Sequence, residues 1–314
     1  MNKKPLIILT GPTASGKSSL AIRLARQIGG EIISADSMQV YRGMDIGTAK
    51  IRPEEMQGIP HYLIDVMDPD EPFNVVVFQA LAKEAMAKIR AAGHIPIIAG
   101  GTGFYIQALF RDIDFTENDN DISYRKHLEA LAGSAGPEAL FRMLLQEDPE
   151  SAAAIHPNNI KKVIRALEFK HQTGQKISDH NRKQAAQTSP YQYAYFVLNM
   201  DRAILYEKIE RRVDEMMADG LLQEVEHLRS RGYGRDLVSM QGLGYKEIYA
   251  YLEGECSLEE AVSQIKLGTR HFAKRQLTWF RREKDVIWLE KRPDSSQEEL
   301  TDFMIKVLKE KNIL

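Results

Sequence analysis

The first hundred residues alternate between short apolar runs and stretches with helical spacing. Pro5–Thr10 is continuously apolar after a proline, which is typical of a strand buried on both faces of a parallel sheet. Further strands are predicted at Glu31–Ala35, His61–Val66 and Ile95–Ala99, and helices at Ser18–Ile28 and Phe78–Ala92. Strands that alternate with helices in this way predict an α/β core, in which right-handed crossovers connect a parallel sheet.

A different pattern starts after Phe110, where the strand signals stop until about Pro190. Helices are predicted near Ile122–Ala132, Pro137–Gln146, Pro149–Ile155 and Asn158–Thr173, and a strand returns only at Tyr193–Leu198. We therefore predict an all-helical inserted domain at residues 115–190, within an α/β core formed by residues 1–114 and 191–314.

The C-terminal part of the chain is mainly helical. Helices are predicted at Ala203–Asp219, Leu221–Arg231, Gly244–Leu252 and Ser257–Arg282, followed by a strand at Val286–Leu289 and a final helix. In the longest of these helices, a rotation of 100° per residue places Lys266, Arg270, Lys274 and Arg281 in one stripe opposite apolar residues. The stripe predicts a basic ridge suited to a phosphodiester backbone, although a solvated surface is the commoner explanation for one such helix.

Composition and charge narrow the class of protein. Of the 314 residues, 43% are hydrophobic and 27% are charged, and no apolar run approaches the ~20 residues of a membrane-spanning helix. The single cysteine, Cys256, excludes an internal disulfide and a cysteine-based zinc site, so we expect a cytoplasmic protein without membrane contact. The net charge is −2, yet residues 155–184 hold seven basic against two acidic residues, and residues 266–284 hold seven against one.

Residues 11–18, GPTASGKS, match the phosphate-loop pattern G-x-x-x-x-G-K-[ST] between a predicted strand and a predicted helix. In such a loop, backbone N–H groups and the helix N-terminus converge on phosphate oxygens. The backbone comes from Gly11, Thr13, Ala14, Ser15 and Gly16. We expect Lys17 to add a full charge and the Ser18 hydroxyl to bind Mg²⁺. The motif indicates phosphate binding without saying which phosphate.

Two further candidates follow predicted strands. Asp36 lies just past the second strand, where a carboxylate can accept a proton or hold Mg²⁺ through water, and where capping of a turn is an equally good explanation. Thr102, in a glycine-rich turn, can point into the same cleft, although such a turn is weak evidence by itself. For the helical cations Lys161, Lys162, Arg165 and Arg212, a solvated face is the default.

Several segments together resemble bacterial tRNA dimethylallyltransferases, over essentially the whole chain. They are the phosphate loop, SADSMQVYRGMDIGTAK at 34–50, PHYLID at 60–65, GGTG at 100–103, IHPNN at 155–159, RALE at 165–168, GLGYKE at 242–247 and KRQLTWFR at 274–281. The segment at 34–50 is far more specific than the phosphate loop, which many unrelated families share.

The resemblance implies a P-loop kinase-like core and a helical insertion that binds the anticodon stem-loop of tRNA. It implies transfer of the dimethylallyl group from dimethylallyl pyrophosphate to N6 of adenine 37, in tRNAs that read UNN codons, with release of pyrophosphate. The adenine must leave the anticodon stack to react. With one cysteine, the chain lacks the zinc finger of some eukaryotic relatives. We expect a monomer with no obligate protein partner.

The resemblance also assigns residues. It implies that Asp36 is the general base, that Arg212 binds pyrophosphate with Lys17, and that Thr102 contacts tRNA near the reacting base. The tRNA contacts carried over are Asp36, Ser37, Met38, Gln39, Thr102, Tyr124, Lys161, Lys162, Arg165, Gln241, Gly242, Gly244, Tyr245, Lys246, Arg275, Gln276, Trp279, Arg281 and Arg282.

Three rival functions are compatible with parts of the sequence. A small-metabolite P-loop kinase would use the loop and Asp36 with ATP, but has no obvious use for a helical insertion. An adenylate dimethylallyltransferase would modify free AMP, ADP or ATP, whereas the two basic segments favour tRNA. An RNA-binding protein with a relic phosphate loop is disfavoured by the intact Lys17, Ser18 and Asp36.

Overall fold

The computed structural model describes residues 3–115 and 123–314. The chain forms two compact units, one made of Met1–Asp112 with Pro190–Leu314 and the other of Ile113–Ser189. The bounds predicted from the sequence differ from these by one or two residues. Within the described ranges, no helix is long and apolar enough to cross a membrane.

The first unit, the core, is built on a six-stranded parallel sheet of order β3-β2-β4-β1-β5-β6. The strands are β1 Lys4–Thr10, β2 Gly30–Ala35, β3 His61–Tyr62, β4 Ile95–Gly100, β5 Tyr191–Met200 and β6 Val286–Lys291. Strand β1 is central, and its residues Leu6 to Leu9 are fully buried because helices cover both faces of the sheet. The predicted α/β class is confirmed.

Helices pack on the two faces of this sheet. They are α1 Lys17–Ile28, α2 Val75–Ala91 and α3 Gly103–Phe110 before the second unit, and α9 Arg202–Ala218, α10 Leu221–Ser230, α11 Tyr245–Leu252, α12 Leu258–Phe280 and α13 Gln297–Glu310 after it. Alternate residues of β1 enter different hydrophobic clusters, because successive strand side chains point to opposite faces. Leu6 and Ile8 pack with residues of α2, α3 and α10 to α12, whereas Ile7 and Leu9 pack with α1 and α13.

Some predicted bounds were wrong for local reasons. The strand predicted at His61–Val66 ends after Tyr62, because Leu63 and Asp65 adopt left-handed backbone angles (φ 63° and 54°). Helix α2 begins three residues earlier than predicted, because the Asn74 side chain accepts hydrogen bonds from the N–H groups of Val76 and Val77. Strand β6 runs two residues beyond its predicted end and finishes at Lys291.

The second unit is a helical bundle. Its helices are α4 Ser123–Ala135, α5 Pro137–Glu147, α6 Pro149–Ala154, α7 Ile160–Thr173 and α8 Ile177–Ala186. Residue Ile122, the predicted start of the first of them, lies outside the described residues, and α8 was not predicted as a separate helix. Leu128, Leu140, Leu144, Val163 and Leu167 form its apolar centre.

The Asp148 side chain links two helices of this bundle through hydrogen bonds. Its carboxylate accepts hydrogen bonds from the N–H and hydroxyl groups of both Ser151 and Ser178. Burial alone would raise the pKa of Asp148, but these four hydrogen bonds outweigh burial and lower the pKa to about 2. The ionised carboxylate therefore joins the start of α6 to the start of α8.

Candidate functional site

Three of the motifs meet at the carboxyl edge of the sheet. Strand β4 lies between β1 and β2, and Gly100 is paired with Thr10 on one side and with Ala35 on the other. The phosphate loop follows Thr10, Asp36 follows Ala35, and the N–H of Thr102 donates to the Ala35 carbonyl at 3.2 Å. The sheet therefore places the phosphate loop, Asp36 and Thr102 side by side, at the edge where open α/β sheets bind ligands.

The phosphate loop is tightly curled. Ala14 and Gly16 adopt left-handed backbone angles (φ 62° and 89°), and α1 begins directly afterwards at Lys17. Gly11 lies against β5, where a Cβ atom would come within 2.6 Å of the Leu198 carbonyl oxygen, so only glycine fits. The Lys17 ammonium folds back to 3.4 Å from the Pro12 carbonyl.

Charges from three elements interact at Lys17. The pKa of Lys17 is lowered to about 8, mainly by burial; the carboxylate of Asp36 opposes this shift, and the positive charge of Arg212 on α9 adds to it. Burial also lowers the pKa of Arg212. Asp36 and Arg212 are therefore both within electrostatic reach of Lys17, as a phosphate site with an adjacent carboxylate requires.

The two oxygens of Asp36 have different surroundings. Oδ1 accepts hydrogen bonds from the N–H groups of Met38, at 2.9 Å, and Gln39, at 3.4 Å. Oδ2 makes no hydrogen bond within the described part of the chain. The carboxylate thus caps a turn with one oxygen and leaves the other without a hydrogen bond there.

Gln276 on α12 bridges the phosphate loop and the glycine-rich turn. Its Oε1 accepts from the N–H of Thr13 at 2.9 Å, and its Nε2 donates to the carbonyl of Gly101 at 3.0 Å. A Cβ atom at Gly101 would lie 2.1 Å from that Nε2, and one at Gly103 would lie 2.3 Å from the Trp279 ring. The glycines of the turn are therefore needed for α12 to pack, and the buried Gln276 side chain is occupied inside the core rather than exposed for a tRNA contact.

Glu224 supports the segment at 34–50 and was missed by the sequence reasoning. Its carboxylate accepts hydrogen bonds from the N–H groups of Asp45, Ile46 and Gly47, and from the hydroxyl of Tyr245. Tyr245 is fully buried, and a Cβ atom at Gly47 would lie 2.5 Å from its ring. The structure gives the Tyr245 side chain a supporting position in the core, which differs from the tRNA contact expected from the sequence.

Other expected contact residues of the core come together. Segments 36–39 and 241–246 meet, since a Cβ atom at Gly242 would lie 2.6 Å from the Met38 side chain. Ser37, Met38, Gln39 and Lys246 are partly exposed, Gln241 is exposed and Gly244 is buried. Arg275, Trp279 and Arg282 line an open depression of about 450 Å³ together with His271, Lys274 and Thr278, and Arg281 is exposed beside them.

The basic ridge predicted for α12 was only partly correct. Lys266 forms an ion pair with Asp214 at 2.6 Å, and Arg270 forms one with Glu210 at 3.0 Å, so both charges face α9 and are compensated. Lys274 and Arg281 are exposed as predicted. Helical periodicity predicted which basic residues share one face of α12. It could not predict that two of the four pair with acidic residues of α9.

Four expected contact residues belong to the second unit. Lys161 and Lys162 are exposed in the first turn of α7, and Arg165, one turn later, is half-buried. The Tyr124 ring stacks on His171 at 3.9 Å between ring centres. These side chains place cations and an aromatic ring on α4 and α7.

The donors beside the phosphate loop suit a hard cation. Ser18, Ser34 and Gln39 supply the oxygen donors of a small cavity of about 30 Å³, whose remaining lining is His61 and five apolar residues, and Asp36 follows two residues after Ser34. In the described ranges, no group of three or more His, Cys, Asp or Glu residues could hold a metal ion by itself. Oxygen donors without an all-protein cage fit Mg²⁺, which keeps water and phosphate ligands.

Fold and site together define a P-loop transferase. A profile of the family described as IPPT: IPP transferase matches residues 39–283, and the chain belongs to this family. The chain is 63% identical over 311 residues to the tRNA dimethylallyltransferase of Lachnoclostridium phytofermentans, with 99% of each covered. It is 51% identical over 285 residues to that of Geobacillus thermodenitrificans, with 91% of this chain and 90% of the relative covered.

Comparison with solved structures also finds tRNA-modifying transferases of this kind. The tRNA isopentenylpyrophosphate transferase of Bacillus halodurans is 44% identical, with a TM-score of 0.75 and 99% and 98% of the two chains covered. A eukaryotic dimethylallyltransferase acting on tRNA is 29% identical, with a TM-score of 0.86 and 99% and 79% covered. The resemblance seen in the sequence is confirmed.

Proposed function

We propose that this enzyme transfers the dimethylallyl group from dimethylallyl pyrophosphate to N6 of adenine 37 in tRNAs reading UNN codons, and releases pyrophosphate. The observation that carries the proposal is the grouping of Lys17, Arg212 and Asp36 at one sheet edge, in a chain of this family. Two cations and a phosphate loop are suited to bind the pyrophosphate group, and the carboxylate is suited to accept the proton of N6.

Asp36 supplies the base in the proposed reaction. The lone pair of the adenine N6 is delocalised into the ring, so the amine is a poor nucleophile until its proton leaves. As the bond between N6 and C1 of the donor forms, the bond between C1 and oxygen breaks, and its electron pair leaves with pyrophosphate. Oδ2 of Asp36, which has no hydrogen bond within the described chain, takes the N6 proton.

The phosphate loop stabilises the leaving group. Negative charge grows on pyrophosphate as the bond breaks, and fixed donors aimed at growing charge lower the barrier. Lys17, Arg212 and the N–H groups of the phosphate loop supply these donors, except at Pro12, which has no N–H, and at Thr13, whose N–H is bonded to Gln276. Ser18, and Asp36 through water, would hold Mg²⁺, which when bound would neutralise part of the phosphate charge.

We further propose that tRNA binds to both units. In the core, Arg275, Trp279 and Arg282 combine cations with an aromatic face around one depression, a combination suited to unstacked nucleotides. In the helical unit, Lys161, Lys162, Arg165 and Tyr124 suit the anticodon stem-loop. Thr102 lies beside Asp36 and would contact the extruded adenine. A monomeric, cytoplasmic enzyme completes the proposal.

A transfer assay tests this function. Purified protein is incubated with Mg²⁺ and labelled dimethylallyl pyrophosphate, and with unmodified tRNA, the same tRNA with guanine at position 37, or AMP. We expect label only on the tRNA that carries adenine 37. Label on AMP would favour an adenylate dimethylallyltransferase. No label on any acceptor, together with hydrolysis of added ATP, would favour the small-metabolite kinase instead.

A further inference from the structure

Lys291 reaches the phosphate loop from the opposite end of the chain. It is the last residue of β6, paired in register with Met200 at the carboxyl edge of the sheet. A Cβ atom at Gly16 would lie 3.2 Å from Nζ of Lys291, so the ammonium group lies directly against the loop where α1 begins. Lys291 lies outside the segment matched by the family profile, which ends at residue 283.

Contacts between α13 and α1 hold the end of β6 in this place. Nε2 of Gln297 donates to the Ser19 hydroxyl at 2.9 Å, and Glu298 forms an ion pair with Arg23 at 3.4 Å. Both partners belong to α1, the helix that the phosphate loop opens. The segment that follows Lys291 is therefore attached to the helix that begins at the phosphate loop.

A second lysine lies close to Lys291. Burial lowers the pKa of Lys291, and the positive charge of Lys208 lowers it further. Lys208 precedes Arg212 by four residues on α9, so the two side chains lie on the same face of that helix. Lys208 and Arg212 thus form one row of cations that extends from Lys17 to Lys291.

These lysines differ from two partly buried cations of the neighbouring helix α12. Lys266 and Arg270 of α12 are each neutralised by an acidic residue of α9. Within the described ranges, neither Lys208 nor Lys291 has a hydrogen bond or an ion pair. Two partly buried like charges without a counter-charge are unfavourable unless an anion joins them.

We propose that Lys291, assisted by Lys208, binds the pyrophosphate group from the β6 side of the phosphate loop. The inference rests on the proposed function and names two residues beyond the phosphate loop and Arg212. Released pyrophosphate carries more negative charge than its dimethylallyl ester, so the additional cations favour the bond-breaking state over the bound donor. A phosphate of the tRNA backbone has the same chemistry and is the alternative occupant.

Pyrophosphate binding tests the proposal directly. The full-length protein is titrated with inorganic pyrophosphate and Mg²⁺ in a calorimeter, and tRNA affinity is measured separately over a range of salt concentrations. We expect Lys291→Ala to weaken pyrophosphate binding on the order of tenfold, the loss of one charge-assisted contact. Lys291→Arg should retain most of the affinity, and Lys208→Ala should cause a smaller loss. The control Lys309→Ala removes an exposed lysine of α13 and should change nothing.

The other outcomes are distinct. Unchanged pyrophosphate affinity in a folded Lys291→Ala protein overturns the proposal, and a reduced salt slope of tRNA binding would then assign the lysine to nucleic acid. If Lys291→Ala does not fold, Lys208→Ala and Lys291→Gln make the same test. Weakened pyrophosphate binding in the variant, with no transfer by the unmodified protein, would support this inference while refuting the proposed function.

Discussion

Oε1 of Gln276 accepts a hydrogen bond from the backbone N–H of Thr13 at 2.9 Å, and this bond links α12 to the phosphate loop. The same side chain holds the carbonyl of Gly101, one residue before Thr102. Helix α12 also carries Arg275 and Trp279, which line the depression proposed for tRNA. Gln276 therefore connects the proposed donor site to the helix proposed to contact the acceptor.

Replacing Gln276 should disturb the donor site. Gln276→Met keeps the volume of the side chain but leaves the N–H of Thr13 and the carbonyl of Gly101 unpaired, a cost of about 1–3 kcal/mol for each buried group. We expect a lower melting temperature and a KM for dimethylallyl pyrophosphate raised several-fold. Gln264→Met, the same exchange at an exposed position of the same helix, is the control. An unchanged donor KM in the folded Met variant would show that the link does not position the loop.

The two oxygens of Asp36 have different proposed roles: Oδ1 caps a turn, and Oδ2 accepts the proton. In Asp36→Asn, the amide oxygen can still accept from the N–H groups of Met38 and Gln39, but the side chain can no longer take a proton. We expect kcat to fall about 10²- to 10⁴-fold, the usual worth of a general base, with an unchanged melting temperature and tRNA affinity.

Asp36→Ala removes the cap as well as the base. It should lose the same activity and, in addition, about 1 kcal/mol of stability. Single-turnover rates with saturating tRNA compare the two variants. A nearly normal rate for Asp36→Asn would contradict the assignment of Asp36 as base and leave it only the capping role.

The lowered pKa of Lys17 predicts how pyrophosphate binding depends on pH. Lys17 is protonated below its pKa of about 8 and loses its charge above it, because burial disfavours the ammonium form. A bound anion favours that form, so the binding advantage that Lys17 confers should be constant below about pH 8 and should shrink as the pH rises further.

The ratio of affinities between the unmodified protein and Lys17→Ala isolates this contribution. Because ionisation of pyrophosphate itself affects both proteins equally, it cancels from the ratio. We expect the ratio, measured by calorimetry, to fall by up to about tenfold per pH unit above pH 8. A ratio that stays constant up to about pH 9.5 would show that Lys17 does not titrate in this range.

The sequence predicted those parts of the site that are contiguous in the chain. The phosphate loop was found because its pattern and its strand-to-helix context lie within residues 5–28, and Asp36 because it follows a clear buried strand. The paired ends of β1, β2 and β4 explain why these motifs meet. Neighbouring parallel strands were predicted, but their order was not.

Long-range hydrogen bonds account for what was missed. Gln276 lies 263 residues from Thr13, and Glu224 lies 177 residues from Gly47. No local pattern distinguishes such residues from surface polar residues. The ion pairs of Lys266 and Arg270 were missed for the same reason, since their acidic partners lie on α9, a separate helix.

Asp148 predicts how the helical unit responds to acid. Its folded pKa of about 2 lies below the ordinary value of about 3.9, so the ionised form stabilises the fold above about pH 4. The difference corresponds to about 2–3 kcal/mol, which is lost as the pH falls from about 4 to about 2. Hydrogen exchange of α6 and α8 should therefore speed up over this range in the unmodified protein.

In Asp148→Asn, one amide oxygen replaces two carboxylate oxygens, so it cannot accept from both Ser151 and Ser178 as the carboxylate does. Exchange in α6 and α8 should already be fast at neutral pH and should gain little more in acid. Asp179→Asn, which alters a partly exposed carboxylate of α8 that pairs with Arg182, is the matched control and should change the acid profile far less. If Asp148→Asn and the unmodified protein showed the same acid profile, the four hydrogen bonds would not be what holds the two helices together.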